Sequence, residues 1–541
     1  MSERPRHLTH VVRRRPPGGR RADGPGARAL AAVALFALAG LMIAVLVLAQ
    51  GEPAPGASAS TAGASRPALG GAAGTPEPPV GTQAPLPTST FLVPSPTPTR
   101  SLAQGGGAVL RYLTSTGDTL AALAARFGVN PADIQAPLGA PAPRDGVTLA
   151  PGQTLIIPAV LDPASLGPAE RLIPDSELVF SASAAGFDAQ AFAREQGGYL
   201  AGYKGFVDGS TRAGGDTVTA VGLQHSINPR LLLALLEHLG GWVTNPAPSG
   251  EALTRPLGYA HPYRDDLTPQ LNWAANQLAI GYYGWRAGTL TELTLADGTT
   301  RRLNPSLNAG TVAVQYFFSR LYGRDDWYAA LTGGFAETYR RLFGDPFARE
   351  LPTLIPGDLA QPPLLLPFQR GATWYFSGGP HGAWENGGAQ AALDFAPASL
   401  ESGCALSETW VTAVAAGQVV RAGPGAVVLD LDGDGRETTG WVIFYFHMAE
   451  RDRIAAGTFV EPGDRLGHPS CEGGRSTGTH VHIARKYNGE WIPAAGVLPF
   501  NLEGWVARAG EGEYQGFLDR DGQTIRACAC TAGWTAITAG R

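Results

Sequence analysis

Between His381 and His482, five side chains able to hold a cation or move a proton stand in settings that would keep them still. His381 follows a Gly-Gly-Pro turn in WYFSGGPHGAW, Asp394 sits in the apolar run ALDFAP, His447 ends GWVIFYFHMA, and His480 and His482 lie in STGTHVHIARKY. Along a strand successive side chains alternate faces, so His480 and His482 share one face while Val481 turns to the other. The run ending at His447 alternates as a half-buried strand does. A catalytic zinc takes three protein ligands from His, Asp and Glu and leaves a fourth position for water. His381, Asp394 and one of the pair His480 and His482 fill that set, and two histidines remain for proton transfer. Packing in a core is the plainer reading of any one of these residues, but five together favour metal chemistry.

These residues resemble the lysostaphin-type zinc endopeptidases, and more closely their beta-lytic (staphylolytic) branch, from about Leu366 to Pro499. CEGGRSTGTHVH is similar to the family's C-x-G-G-x-S-T-G-x-H-x-H segment. In most of the superfamily the first ligand His lies four residues before the Asp, where this chain has Gln390; the beta-lytic branch places it thirteen before, as here (394 − 381 = 13). The resemblance implies that His381, Asp394 and His482 hold one zinc ion and that His447 and His480 are the catalytic histidines. It also implies a disulfide at Cys471, with Cys404 as partner. A tyrosine that often assists in that family is matched here by Phe446, which leaves the role open.

The full 541 residues give room for three or four domains. Residues 1–28 are Arg-rich, and an uninterrupted apolar run follows over 29–49. About 20 residues of helix span a bilayer, whereas the apolar region of a signal peptide is usually about 7–15. The run therefore predicts a transmembrane anchor with the basic segment cytoplasmic and the rest outside the membrane; cleavage after Val47 and Ala49, giving a secreted protein, is the alternative. Residues 50–107 are almost wholly Pro, Ala, Gly, Ser and Thr, a composition that cannot bury a core and predicts a disordered linker. A net charge of −5 gives no reason to expect nucleic acid.

Residues 108–160 predict strand, helix, helix, strand, with Leu120, Leu123, Ala124 and Phe127 on one helix face. GDTL at the helix start and PGQTLIIP at the end resemble a LysM module, which implies binding of N-acetylglucosamine in peptidoglycan. Residues 170–350 predict a buried α-helical domain from INPRLLLALLEHLGGW, QLNWAANQLAIGYYGW and LNAGTVAVQYFFSRLYG. That pattern is similar to lysozyme-like transglycosylases, but Glu237 falls two residues before the catalytic Glu position, about 200° around a helix, which predicts a fold without glycosidase chemistry. Residues 362–541 hold the mainly antiparallel β peptidase region and a C-terminal extension. Within it Asp430, Asp432, Asp434 and Gly435 match the opening of a calcium loop, but the twelfth position is Trp441 where a Glu belongs; a solvated acidic hairpin is the favoured reading and Ca²⁺ the alternative. His468 is expected to be a core or surface residue and not a ligand. Cys528 and Cys530, two apart, are expected to be strained if joined to each other, and alone lack the ligands for a metal.

Taken together, the sequence predicts a multidomain, exported zinc metalloendopeptidase that is membrane-tethered and cuts the peptide crosslinks of peptidoglycan. Two other classes are a non-catalytic wall-binding or amidase-activating scaffold and a secreted protease for Gly-rich proteins. The complete ligand set argues against the first, the LysM-like module against the second.

Overall fold

A computed structural model of the chain describes residues 108–261, 265–398 and 403–540. The expected basic segment, membrane anchor and linker lie outside them. No helix among the described residues is long and apolar enough to cross a membrane.

The first folded region pairs β1 (Val109–Leu113) with β2 (Thr154–Pro158) antiparallel, over α1 (Leu120–Phe127). Thr119 caps α1 by accepting from the Ala122 amide at 3.2 Å, and Gly128 at φ 69° ends it in the left-handed conformation that glycine tolerates. Leu120, Leu123, Ala124 and Phe127 are all buried, as their spacing predicts. The expected second helix is only a single 3₁₀ turn, Pro131–Asp133. Pro137 and Pro141 follow closely, and each steers the residue before it out of the helical region, so a longer helix has no room to propagate.

Five longer helices build the next region: α2 (Gly214–His225), α3 (Pro229–Gly240), α4 (Leu267–Ala287), α5 (Ala309–Ser319) and α6 (Phe335–Phe343). Pro229 opens α3 where a missing N–H costs nothing, and the Asn228 side chain accepts from the Arg230 amide at 3.0 Å. Leu231 to Leu236 are all fully buried, so α3 is apolar around its circumference and runs through the centre. Glu237 is buried at its end: it accepts from the Val243 and Thr244 amides at 3.1 and 3.0 Å, from the Thr244 hydroxyl at 2.6 Å and from Arg341 at 3.1 Å. Its carboxylate holds the turn that follows α3.

Among the described residues nine strands form one antiparallel sheet: β3 (Thr373–His381), β4 (Ala392–Pro397), β5 (Gly417–Gly423), β6 (Ala426–Asp430), β7 (Trp441–Phe446), β8 (Phe459–Val460), β9 (Val481–Tyr487), β10 (Glu490–Trp491) and β11 (Ala536–Thr538). Their order is β8-β5-β6-β7-β9-β4-β3-β11, with β10 paired to β9 through the Asn488-Gly489 turn. Here β7 departs from expectation: it is buried on both faces rather than half-buried. One side, with Val427, Leu429, Ile443, Tyr445, Val481 and Ile483, packs the sheet's own core. The other, with Val428, Val442, Phe444, Phe446, Ala484 and Trp491, packs against the helices. Alternating apolar and polar residues mark a strand with one wet face; a strand covered twice reads as an apolar run, and WVIFYF is one.

At this helix–sheet junction His225 is buried, its Nε2 3.1 Å from Asn272 Oδ1 and its ring facing Trp384. Burial pushes its pKa down to about 4. Because the folded value lies below the unfolded one of about 6.5, the unfolded chain takes up the proton first, and stability present above pH 6.5 is lost as pH falls toward 4. The loss contributed by this residue is expected to reach about 3 kcal/mol. Urea unfolding of wild type and His225→Gln at pH 7.5 and pH 4.5 checks it; parallel losses in the two proteins would remove His225 as the cause.

Candidate metal centre

Asp394 and His482 are direct register partners on neighbouring strands β4 and β9, so their side chains emerge side by side on the helix-facing side of the sheet. Strand β3 brings in His381 through two irregularities, between Phe376 and Gly378 and between Gly378 and His381. The glycines before His381 are required for close approach. A Cβ on Gly378 would lie 2.4 Å from Asp394 Oδ2, and one on Gly379 would lie 2.6–2.7 Å from the backbone of Gln515. The SGGPH lead therefore clears the space that the carboxylate and the C-terminal extension occupy.

His381 Nε2 lies 3.0 Å from His482 Nδ1, and each of these nitrogens lies 3.3 Å from Asp394 Oδ1. Four donors about 2.0 Å from a tetrahedral zinc are about 3.3 Å from one another, so this triangle has the edge length of one face of such a site. All three residues are buried, and Asp394 Oδ1 has no hydrogen-bond partner, although an unpaired buried carboxylate oxygen is costly. The rings are oriented from behind: His381 Nδ1 donates to the Gly379 carbonyl at 2.8 Å, and His482 Nε2 donates to the Ala383 carbonyl at 3.1 Å. With those protons fixed outward, the two inward nitrogens present lone pairs beside the carboxylate, which is the donor set a divalent cation needs. Electrostatics follow the same arrangement. Burial alone would raise the Asp394 pKa, but His381 and His480 hold it well below the usual carboxylate range. Burial lowers His482, while at His381 it is outweighed by Asp394 and the net direction is upward.

His447 and His480 stand beside this triangle with ring centroids 4.6 Å apart. His447 Nδ1 donates to the Glu472 carbonyl at 3.0 Å and His480 Nδ1 to the Gly478 carbonyl at 2.8 Å, which fixes the orientation of both rings. His480 Nε2 is 3.7 Å from Asp394 Oδ1. Burial, with His480 and His482 adding to it, pushes the His447 pKa down to about 3. His447 also has φ 59°, uncommon for a residue with a side chain, and Ser470 pins its carbonyl twice, by amide at 2.7 Å and by hydroxyl at 2.9 Å. The glycines of CEGGRSTG serve the same corner, since a Cβ on Gly473 or Gly474 would lie 2.6 or 2.8 Å from the Phe446 ring. Cys404 and Cys471 are bridged, with Cα atoms 5.7 Å apart, and fasten this loop to the chain before it, whose Gly403 carbonyl accepts from the Thr479 amide at 3.0 Å.

All five expected site residues thus meet in one place. Tyr514, which sequence reasoning missed, joins them. Its ring stacks on His381 with centroids 4.1 Å apart and remains 47% exposed, at the rim of the site. It lies in EGEYQGF, a polar turn with neither periodicity nor a spacing to the histidines that would mark it. Tyr445, adjacent to Phe446, faces the opposite core, where its hydroxyl accepts from the Val414 amide at 2.8 Å.

The acidic hairpin between β6 and β7 uses its carboxylates locally. Asp430 accepts from the Asp432 and Gly435 amides at 3.2 and 2.9 Å, Asp432 from the Asp434 amide at 3.3 Å, and Asp434 from the Arg436 amide at 2.9 Å and the Thr439 hydroxyl at 2.7 Å. The three carboxylates lie close enough together to share a cation, but each is taken up as a cap of the turn. His468 is buried away from the triangle, its Nδ1 donating to the Thr409 carbonyl at 2.7 Å. Cys528 and Cys530, which the sequence left without a partner, are joined to each other, with Cα atoms 5.1 Å apart. The tight bend that permits it is closed by the Cys530 amide donating to the Cys528 carbonyl at 2.6 Å.

Residues 403–493 match the model of peptidase family M23. The chain carries an M23 peptidase domain. Residues 112–158 match the LysM domain, and residues 171–355, the helical region, match the LasA N-terminal domain. Protease LasA from two strains of Pseudomonas aeruginosa is 28% identical over 300 residues, covering 50% of this chain and 66% of the relative. Among solved structures, the M23 metalloprotease pseudoalterin from the deep sea is 26% identical, covering 31% of this chain and 96% of its own with a TM-score of 0.27. The lysostaphin catalytic domain from Staphylococcus simulans is 23% identical, covering 23% and 89%, with a TM-score of 0.17.

Proposed function

We propose that this M23-domain chain is a zinc-dependent endopeptidase that hydrolyses the peptide crosslinks of peptidoglycan. The observation that carries the reading is the triangle of His381 Nε2, Asp394 Oδ1 and His482 Nδ1, with edges of 3.0–3.3 Å and a buried carboxylate oxygen otherwise without a partner. Those three residues would hold the ion. A zinc bound there supplies Lewis acidity toward a peptide carbonyl and brings the pKa of water close to 7. His447, kept neutral by burial and with its Nδ1 proton given to the Glu472 carbonyl, is placed to accept a proton at Nε2. His480, oriented by the Gly478 carbonyl, has its Nε2 3.7 Å from Asp394 Oδ1 and would, when that nitrogen carries a proton, donate to the developing oxyanion or pass the proton to the leaving amine. Tyr514 would shape the rim and limit how His381 can turn.

The LysM domain supports the glycan-rich wall as the place of action, with the peptide stem in the metal cleft. The Arg-rich segment and apolar run at the start of the chain support export with the folded domains outside the membrane, anchored through residues 29–49. Purified protein incubated with sacculi is expected to release muropeptides cut within the crosslinks, identified by mass spectrometry, and a chelator is expected to stop the release. Cleavage of glycan strands alone, or release unaffected by chelator, would overturn the reading.

A further inference from the structure

Two loop segments of the LysM domain, Thr114–Asp118 and Val147–Gly152, flank a groove that the chain itself fills, since both hydrogen-bond to residues 355–358. Segment Leu354–Leu359, which leaves the helical region and leads toward the sheet, lies across both loops. The Thr116 hydroxyl accepts from the Ile355 amide at 2.6 Å and donates to the Ile355 carbonyl at 3.1 Å, bracketing one residue's backbone. The Thr148 hydroxyl donates to the Pro356 carbonyl at 2.9 Å, and its carbonyl accepts from the Asp358 amide at 3.0 Å. Arg144 pairs with Asp358 at the open end. Between these contacts Gly357 lies so near the second loop that a Cβ on it would come 2.7–2.9 Å from Ala150. Leu354 and Ile355 are 1% and 3% exposed, so the contact is a packed one. On its far side the segment is tied to the peptidase sheet, where the Asn488 side chain donates to the Leu354 carbonyl at 2.8 Å.

The groove is thus built to receive secondary amides: two threonine hydroxyls and a loop carbonyl take up the N–H and C=O groups of a passing backbone. N-acetylated glycan carries secondary amides as well, with the same donors and acceptors. We propose that the segment Leu354–Leu359 is a built-in occupant of the LysM groove, and that an N-acetylated glycan binds by displacing it, so that capture of the wall frees the strap joining the LysM domain to the peptidase sheet. This rests on the reading of the LysM domain as a glycan-binding module. The groove's competent fraction then sets its apparent affinity, which rises when the occupant is weakened.

The test uses the full chain with soluble N-acetylglucosamine hexamer as probe. Gly357→Val places a branched side chain against Ala150 and is expected to tighten hexamer binding by about tenfold in titration calorimetry, the gain for a groove open about a tenth of the time. In wild type, saturating hexamer is expected to speed hydrogen exchange in the peptide covering Leu354–Leu359, whose Ile355 and Asp358 amides lose their acceptors; this needs no variant and stands even if Gly357→Val fails to fold. Binding by wild type with exchange in that peptide unchanged or slowed would overturn the inference and leave the glycan reading intact. Absence of hexamer binding by both proteins would overturn both.

Discussion

Replacing Asp394 with Asn is expected to abolish retention of zinc and to lower muropeptide release by more than about 10³-fold, since loss of one well-placed electrostatic group in an active site already costs about 10²–10³. The substitution keeps the side chain's shape and removes the charge that draws His381 and His482 into a ligand set. Asp394 Oδ1 lies 3.3 Å from both His381 Nε2 and His482 Nδ1, so the metal-free variant loses that attraction and is expected to melt lower than metal-free wild type. Zinc at 100 times its dissociation constant should then stabilise wild type by about 2.7 kcal/mol and leave the Asp394→Asn variant unmoved. Metal analysis after dialysis, thermal melts with and without zinc, and release from sacculi check the three parts. His447→Ala is the comparison that separates binding from chemistry: it should keep its zinc and lose about 10²–10⁴ in rate. Equal zinc in wild type, Asp394→Asn and His482→Ala would sink the assignment of the triangle.

The second large effect is on stability and falls far from the metal. Arg286 on α4 is buried where three regions meet. Its guanidinium reaches Glu490 of the sheet at 3.0 Å, Asp175 at 3.1 Å and the Tyr282 hydroxyl at 2.7 Å, and it also donates to the Thr116 carbonyl of the LysM domain. Arg286→Ala would leave two buried carboxylates without their cation and is expected to cost about 3–5 kcal/mol. Adding Glu490→Gln to that variant should recover part of the loss, because one of the stranded charges is then gone. Urea unfolding followed by tryptophan fluorescence measures both. A loss below about 1 kcal/mol would mean that water enters the junction and the cluster contributes little.

Two arginines hold the LysM domain to the same helix by different means. Arg126, buried on α1, donates to the Trp285 carbonyl at 2.8 Å near the end of α4 and stacks over the Trp285 ring at 4.6 Å, while pairing with Asp118 at 2.7 Å. A cation there meets the partial negative charge of the helix C-terminus. Gly288, which ends α4 at φ 73°, allows the approach, since a Cβ on it would lie 2.8 Å from the Ala122 backbone.

What the sequence by itself determined was chemistry that depends on local order. Strand alternation and local setting marked His381, Asp394, His447, His480 and His482 as candidates, because residue type and facing are fixed within a few positions, and the resemblance to the beta-lytic endopeptidases implied their roles. The apolar face of α1 and the Pro-initiated, all-Leu α3 were legible for the same reason. The tertiary structure alone decided what depends on meetings between distant segments. Whether WVIFYF is covered on one face or two depends on helices more than a hundred residues earlier, and no pattern inside the strand reports their arrival. Tyr514 reaches His381 only because Gly379 lets the extension pass against β3, and Glu237 is satisfied by a turn that its own helix cannot announce. The LysM motif implied a glycan-binding module, but only the fold shows Leu354–Leu359 lying across its loops: close packing between segments is set by shape and hydrogen-bond complementarity, which leave no period in either one.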